Sequence, residues 1–318
     1  MKKFDVCVVG EILIDFTISG KNELGMRLFA QNAGGAVANV AAAMGKLGAK
    51  CAFIGKAGDD MHGRFLRDTL AAHGVDVSGL LLTPDYFTTL AFVSVREDGE
   101  REFSFARRHG ADNMLLREDI PLDTMKSARI LHMGAVSLAD NPARDSTMYA
   151  VRQAKEAGMV ITYDPNYRAS LWASEAEAIR VMREVIPYAD AMKISDEETA
   201  LLTGEHEPEK AADILLAQGV KVTMVTLGRD GAYVRTREGG RYVPGFAAKA
   251  VDATGAGDSF WAGVLTCMTR DDVMPDALTL DKACEYARFG NAVASLCVEK
   301  PGAIPAMPEM DAVLARLS

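Results

Sequence analysis

Residues 251–260 have the sequence Val-Asp-Ala-Thr-Gly-Ala-Gly-Asp-Ser-Phe, and the rest of the chain is organised around them. The apolar residues that follow Phe260 predict a buried helix. Gly255, Ala256 and Gly257 carry almost no side chain, so their backbone N–H groups can face a ligand at the start of that helix. Unpaired N–H donors and the positive end of a helix dipole both favour an anion. Asp258, next in sequence, is a candidate base for an attacking hydroxyl.

An anion site beside a base is the arrangement that phosphoryl transfer requires, because positioning and charge stabilisation supply most of its catalysis. The alternative is a glycine-rich turn in which Asp258 is an ordinary residue of the first helical turn. Two nucleotide-binding motifs are excluded. Phe260 stands where G-x-G-x-x-G needs its last glycine, and no G-x-x-x-x-G-K-[ST] occurs in the chain.

The composition indicates a globular protein with a sizeable core, since 49% of the 318 residues are hydrophobic and 25% are charged. The net charge of −9 argues against a nucleic-acid partner or an anionic membrane surface. No window of about 18 uninterrupted apolar residues occurs, and the five histidines have no metal-binding spacing. The five scattered cysteines predict reduced core thiols in a cytoplasmic protein.

Strand and helix patterns alternate along most of the chain, which predicts a mostly parallel sheet with helices on both faces. The predicted strands are 6–9, 51–55, 130–133, 160–163, 191–194 and 222–226, and the predicted helices are 36–48, 64–73, 143–157, 174–188, 207–218, 282–296 and a last one from about 309. A hairpin is predicted at about 232–243. Another, at 88–105 around Asp98-Gly99, is either an edge hairpin or a lid over a substrate.

Several polar residues stand at positions where a ligand could bind, and each has a structural alternative. Asp15 follows the first strand, where α/β proteins place their sites, or it is a loop or capping residue. Asn39 lies on an apolar helix and needs a partner, from a ligand or from the core. Asn166 and Arg168 follow a strand, as a ligand site or a turn that closes it. Glu198 stands in an acidic helix start, which plain capping also explains.

Two motifs make the chain similar to the ribokinase/PfkB family of sugar kinases. Residues 34–39, Gly-Gly-Ala-Val-Ala-Asn, resemble the family's N-terminal signature, and residues 252–258 resemble its C-terminal signature. The resemblance covers nearly the whole length. It implies an α/β fold: a ribokinase-like three-layer α/β/α sandwich with a central mostly parallel sheet. It also implies that residues 1–318 form one kinase domain. A small β-sheet lid is implied at about 16–33 and 86–112, with a homodimer through the lid.

The resemblance also implies roles for individual residues. Asp258 corresponds to the catalytic base, and Gly255, Ala256 and Gly257 correspond to the anion hole. The implied substrate-binding residues are Asp15, Gly34, Gly35, Asn39, Phe105, Asn166 and Arg168, and the implied ATP-binding residues are Lys193, Ser195, Thr226, Gly228, Gly231 and Asn291. Glu198 corresponds to an acidic residue linked to magnesium through water, although Ser195 replaces the asparagine of that motif. Asp252, Thr254 and Gly302 surround a candidate site for potassium, where Ala306 lacks the hydroxyl that some relatives supply.

Within the family, three stretches look most like those of fructokinases: 10–16, 99–103 with 110–112, and 164–168 with 171–172. The implied reaction is ATP-dependent phosphorylation of fructose to fructose 6-phosphate, with magnesium. Ala106 departs from the aromatic residue that fructokinases often carry there, which widens the sugar pocket. The alternatives are a kinase for 2-keto-3-deoxygluconate, ribose or a riboside on the same fold, or a non-catalytic sugar-binding regulator. A nicotinamide-dependent oxidoreductase is a more distant alternative, disfavoured because the chain lacks G-x-G-x-x-G.

Overall fold

The computed structural model describes residues 2–95 and 101–318. The strands in this part are β1 (Phe4–Val9), β2 (Leu13–Lys21), β3 (Arg27–Gly34), β4 (Cys51–Gly58), β5 (Val75–Thr83), β6 (Leu90–Val95), β7 (Arg101–Ala106), β8 (Ala128–Gly134), β9 (Val160–Asp164), β10 (Ala191–Ser195), β11 (Val222–Thr226), β12 (Ala232–Thr236) and β13 (Gly239–Val243). The α-helices are α1 (Ala36–Lys46), α2 (Met61–Ala72), α3 (Leu122–Lys126), α4 (Ala143–Glu156), α5 (Glu175–Val185), α6 (Asp196–Thr203), α7 (Pro208–Ala217), α8 (Ala256–Arg270), α9 (Leu280–Cys297) and α10 (Met310–Leu317).

The larger sheet has nine strands within the described residues, in the order β13-β12-β11-β10-β9-β8-β1-β4-β5. All neighbours from β11 to β5 are parallel, and the β12–β13 hairpin adds an antiparallel edge. One face packs against a core that includes α1, α8 and α9, and the other against a core that includes α4, α5 and α7. The predicted mostly parallel sheet with helices on both faces is therefore confirmed, as is the three-layer α/β/α architecture.

A second sheet has the order β3-β2-β6-β7, with β2 and β6 parallel and the other pairs antiparallel. The hairpin predicted at 88–105 belongs to this small sheet and not to an edge of the large one. Its predicted turn at Asp98-Gly99 lies outside the described residues. Strands β2 and β3 occupy the stretch 16–33, which shows no clear periodicity because apolar side chains such as Ile18 and Leu28 are exposed on it.

Strand β5 is one of the elements that sequence patterns did not predict. Its sequence, VDVSGLLLT, is interrupted by Asp76, Ser78 and Gly79, and its pairing with β4 contains a register shift. It pairs with β4 at one edge of the large sheet, where a strand needs a less regular apolar pattern than in the centre.

The cysteines and the helices agree with two expectations from composition. Cys7, Cys51, Cys267, Cys284 and Cys297 are buried free thiols, as predicted. Among the described helices, none combines the length and the apolar character needed to cross a membrane.

Candidate active site

A cavity of about 410 Å³ lies between the large sheet and the small one. It is at the carboxyl ends of parallel strands, where sites of α/β proteins form. The predicted site residues that line it are Asp15, Gly35, Asn39, Phe105, Asn166, Arg168, Lys193, Ser195, Glu198, Thr226, Gly228, Thr254, Gly255, Ala256, Gly257 and Asp258. Residues distant in sequence therefore meet around one space.

Asp258 lies in the first turn of α8 and is only 5% exposed. Two amide side chains hold its carboxylate: Nδ2 of Asn39 donates to Oδ2 at 2.7 Å, and Nδ2 of Asn166 donates to Oδ1 at 2.9 Å. Asn166 has a left-handed backbone with φ of 48°, which asparagine tolerates better than most residues. The N-terminal and C-terminal signature motifs thus meet at one carboxylate.

Burial raises the pKa of Asp258, while the charge of Lys193 and the hydrogen bond from Asn39 oppose that rise. A raised pKa strengthens the carboxylate as a proton acceptor near neutral pH. The arrangement therefore suits a general base whose position is fixed by hydrogen bonds on both oxygens.

The loop before α8 requires its glycines. Gly255 is the N-cap of the helix with φ of 78°, and a Cβ there would lie 2.9 Å from Cβ of Ala303. A Cβ on Gly257 would lie 2.7 Å from Nζ of Lys193. Glycine at both positions lets the chain turn and lets an ammonium approach the helix start, which itself presents unpaired N–H groups. The result is a compact positive region beside Asp258.

Lys193 is buried and its ammonium donates to both oxygens of Asp164, at 3.2 and 3.0 Å. Burial disfavours the charged lysine, but the carboxylates of Asp164, Glu198 and Asp258 outweigh it and raise the pKa of Lys193. The lysine is therefore a fixed positive charge in the cavity. Asp164 ends the buried strand β9 and opens the polar segment with Asn166 and Arg168 that the sequence indicates as a ligand site or a closing turn.

Glu198 acts as a helix cap. Its Oε2 accepts hydrogen bonds from N of Ser195 at 2.8 Å and from Oγ of Ser195 at 3.1 Å, and its Oε1 accepts from N of Tyr167 at 2.6 Å. The capping expected from an acidic helix start is confirmed. The residue also lines the cavity. In the described ranges, no group of three or more His, Cys, Asp or Glu residues forms a ready-made metal site.

Asp15 lies within β2 of the small sheet and not, as the sequence pattern predicted, at the end of the first strand, and it is partly buried. Burial raises its pKa to about 7; Arg168 opposes the rise, and Asp258 and Asp252 add to it. Gly34 lies directly beside it, and a Cβ there would overlap Oδ2 of Asp15. Gly34 therefore contributes by leaving room for the carboxylate of Asp15.

Four other predicted residues do not line the cavity. Asn291 donates from Nδ2 to the carbonyls of Val243 and Pro244, at 3.2 and 3.0 Å, and so holds the end of the β12–β13 hairpin. Gly231 has φ of 102° in the turn before β12. The other two, Asp252 and Gly302, belong to a connection between loops.

Asp252 joins the loop before α8 to the loop after α9. Its Oδ1 accepts from N and Oγ1 of Thr254, at 2.9 and 2.7 Å, and its Oδ2 accepts from N of Gly302 at 2.9 Å. The residues predicted to surround a monovalent cation are thus brought together at the loop that leads into α8.

Sequence reasoning missed several residues that line the cavity. They are Glu11, Leu13, Ala36, Val136, Tyr167, Leu171, Asp196, Glu197, Leu201 and Ala253. A signal existed for Glu11, which is a charged residue inserted in an apolar run directly after the first strand and Gly10. No local signal distinguishes the aliphatic residues of this set from ordinary core residues.

The sequence model described as pfkB family carbohydrate kinase matches residues 3–310. The chain is 41% identical over 302 residues to a protein named probable fructokinase-5 from Arabidopsis thaliana, covering 94% of this chain and 93% of that one.

Two solved structures have the same fold. A fructokinase from Xylella fastidiosa with bound ATP has a TM-score of 0.91 at 32% identity, covering 100% of this chain and 98% of that one. A double mutant of a fructokinase from Vibrio cholerae O395, bound to fructose, ADP and a potassium ion, has a TM-score of 0.89 at 31% identity with 100% of both chains covered. The chain belongs to the pfkB family of carbohydrate kinases, with the ribokinase-like α/β fold, and is an ATP-dependent sugar kinase.

Proposed function

We propose that this kinase phosphorylates fructose to fructose 6-phosphate, using Asp258 as the catalytic base. The observation that carries the proposal is the carboxylate of Asp258, held between the amides of Asn39 and Asn166 beside the start of α8. The choice of fructose rests on the names of the relatives, one of which has fructose and ADP bound.

In the proposed reaction, the 6-hydroxyl oxygen of the sugar attacks the γ-phosphorus of ATP. Its proton passes to Asp258 as the new P–O bond forms, and the bond to the oxygen that bridges the β- and γ-phosphorus atoms breaks to release ADP. The backbone N–H groups of residues 255–257 and the ammonium of Lys193 stabilise charge on the transferring group. Asp258 later returns the proton to solvent.

The sugar would bind between Asp258 and the small sheet. Asp15 and Asn39 are its proposed hydroxyl partners, with Arg168 beside them and Phe105 covering the sugar from β7. Asn39 supports this, because it lines the cavity and its Oδ1 is buried with no hydrogen-bond partner among the described residues. A ligand hydroxyl would satisfy that acceptor. The small sheet would serve as a lid over the sugar. The chain, lid included, would form one kinase domain.

The nucleotide would lie along the ends of β10 and β11. Ser195, Thr226 and Gly228 line that part of the cavity, and Gly228 has φ of 56° in the turn after β11. Gly231 and Asn291 are proposed to act indirectly, since they shape the turn and the hairpin behind the nucleotide and do not line the cavity themselves.

Magnesium would accompany the ATP phosphates and lower their negative charge. Glu198 would contact the magnesium ion through water and not directly, because both of its carboxylate oxygens already accept hydrogen bonds from Ser195 and Tyr167. Potassium would bind near Asp252, Thr254 and Gly302, as the potassium ion in the Vibrio cholerae fructokinase suggests. Bound there, it would order the loop that leads into the anion site.

We further propose a homodimer through the small sheet, because that sheet and the turn between β2 and β3 expose a group of apolar side chains. They are Ile18, Leu24, Met26, Leu28, Phe29 and Phe92. Light scattering of the purified protein tests this. The buried free thiols support a cytoplasmic location, where thiols stay reduced.

The test of the substrate is ADP release with Mg-ATP on fructose, 2-keto-3-deoxygluconate, ribose and a riboside, with and without potassium. Phosphorus NMR of the product identifies the phosphorylated carbon. A preference for fructose with phosphate on carbon 6 supports the proposal. A preference for another sugar would keep the reaction and refute the substrate, and silence with every sugar would favour a sugar-binding role.

A further inference from the structure

Glu11 has a place at the junction of the two sheets that the mechanism above does not use. It follows β1 and Gly10 and precedes β2, and its side chain is 1% exposed. Its Oε1 accepts a hydrogen bond at 2.7 Å from N of Ala36, the first residue of α1. One carboxylate oxygen therefore fixes the start of the helix that carries Asn39.

The other carboxylate oxygen of Glu11 lacks a hydrogen-bond donor within the described part of the chain. Oε2 is buried and has no hydrogen-bond partner among the described residues, and Glu11 lines the same cavity as Asp15 and Asn39. A buried carboxylate oxygen without a donor is costly. Oδ1 of Asn39 is likewise buried without a hydrogen-bond partner among the described residues. Two residues that line one cavity therefore each have a buried acceptor without a donor in the described ranges, and a polyhydroxylated ligand carries several donors.

We propose that Glu11 is a sugar-binding residue, whose Oε2 accepts a hydrogen bond from a hydroxyl of the substrate other than the one that is phosphorylated. This inference rests on the proposed function. Because Oε1 is fixed by Ala36, the side chain is preorganised and loses little freedom when the sugar binds. Glu11 thereby selects sugars that have a hydroxyl at that position, since an analogue without it leaves the oxygen buried and unpaired.

The nearest competing explanation involves Arg107, which follows β7. Its Nε donates to Oδ2 of Asp112 at 2.8 Å, while its Nη2 is buried without a partner among the described residues. Burial raises the pKa of Glu11 to about 7, and Asp112 adds to the rise. Hydrogen bonds from the backbone of Glu11 itself and of Ala36 oppose it, as does the charge of Arg107, so the arginine lies close enough to interact electrostatically with Glu11. If the small sheet shifts, Glu11 and Arg107 could pair with each other, with no sugar involved.

The experiment compares the wild-type kinase with Glu11→Gln, which keeps an acceptor for Ala36 and replaces the other oxygen with an amide nitrogen. Glu177→Gln is the matched control, because Glu177 pairs with Arg144 outside the cavity. Each protein is assayed with fructose and with 1-deoxy-, 3-deoxy- and 4-deoxyfructose. We expect Glu11→Gln to raise KM for fructose about tenfold, as for loss of a charge-assisted hydrogen bond, while KM for ATP stays unchanged.

The decisive result is a coupling between the variant and one analogue. We expect one deoxy sugar to lose affinity in the wild type and in Glu177→Gln, and to lose nothing further in Glu11→Gln. Equal losses for every analogue in all three proteins overturn the inference. So does an Arg107→Lys variant that reproduces the Glu11→Gln effect on every sugar. Lack of wild-type turnover on fructose refutes the proposed substrate instead, and the same cycle on the sugar that is turned over then decides the role of Glu11.

Discussion

Asn39 and Asp258 are 219 positions apart in the chain, and Nδ2 of one donates to Oδ2 of the other at 2.7 Å. The hydrogen bond joins the start of α1 to the start of α8. It lowers the pKa of Asp258 against the rise that burial causes. The proposed base is therefore tuned by a residue of the other signature motif.

Removing that hydrogen bond should change the pH dependence of turnover. Asp258 must be ionised to accept a proton, so activity falls as pH drops through its pKa. We expect Asn39→Ala to raise this pKa and move the acidic limb of kcat/KM toward higher pH. Asn39→Asp adds a second carboxylate and should move it further. An acidic limb at the same pH in all three proteins would contradict the tuning role, whatever happens to KM.

Lys193 should matter for turnover through its fixed positive charge in the cavity. We expect Lys193→Met to lower kcat about 10²- to 10³-fold, because a fixed charge at the transferring phosphoryl group is lost. Gly257→Ala should lower kcat as well, since its Cβ would lie 2.7 Å from the ammonium. Lys221→Met is the control, because Lys221 pairs with Asp190 and Asp276 away from the cavity. Similar kcat values for Lys193→Met and Lys221→Met would refute the assignment.

Asp15 should make the ligand-free protein less stable at high pH. Its pKa in the folded protein is about 7, above the value near 4 of an unfolded chain. The folded state therefore holds the proton longer, and stability falls as pH rises between these values. We expect Asp15→Asn to be more stable than the wild type at pH 8 by about 1–3 kcal/mol and the gap to shrink at pH 4.5. Thermal unfolding without sugar at both pH values measures this difference in stability. A difference that does not change with pH would contradict the raised pKa of Asp15.

Glu198 has a capping role in the structure and a proposed magnesium role, and one variant separates them. We expect Glu198→Gln to raise the magnesium concentration that gives half-maximal turnover about 10- to 100-fold, as for loss of an outer-shell carboxylate. Titration of activity with magnesium at fixed ATP gives this value. If the midpoint of thermal unfolding falls while the magnesium titration is unchanged, Glu198 is a helix cap alone.

Local sequence patterns predicted much of the fold because buried parallel strands and glycine-bounded helices leave strong signals. The large sheet, α1 and the loop before α8 follow from such patterns. In the small sheet, the β6–β7 hairpin follows from a local pattern as well, but β2 and β3 were implied only by family resemblance, because exposed residues such as Leu28 hide their alternation. Strand β5 was missed because Asp76 and Gly79 interrupt it.

The candidate site was less predictable than the fold, because its residues act through contacts between distant segments. The apolar helix around Asn39 indicated that the amide needs a partner, but not that the partner is Asp258. The same holds for Asn166, whose φ of 48° aims it at the same carboxylate. Asn291 was implied near the nucleotide, yet its amide is used on the hairpin carbonyls. Such orientations depend on tertiary packing that no local window contains.

The central claim, that Asp258 is the catalytic base, is tested most directly by ADP release from Asp258→Asn with saturating fructose and Mg-ATP. The account predicts turnover lower by about 10²- to 10⁴-fold, the contribution of a positioned base, with ATP binding by calorimetry little changed. Asp258→Ala should lower turnover to the same extent. It is the control for any hydrogen bond that the amide side chain of Asp258→Asn makes. Near-normal turnover in either variant would contradict the account.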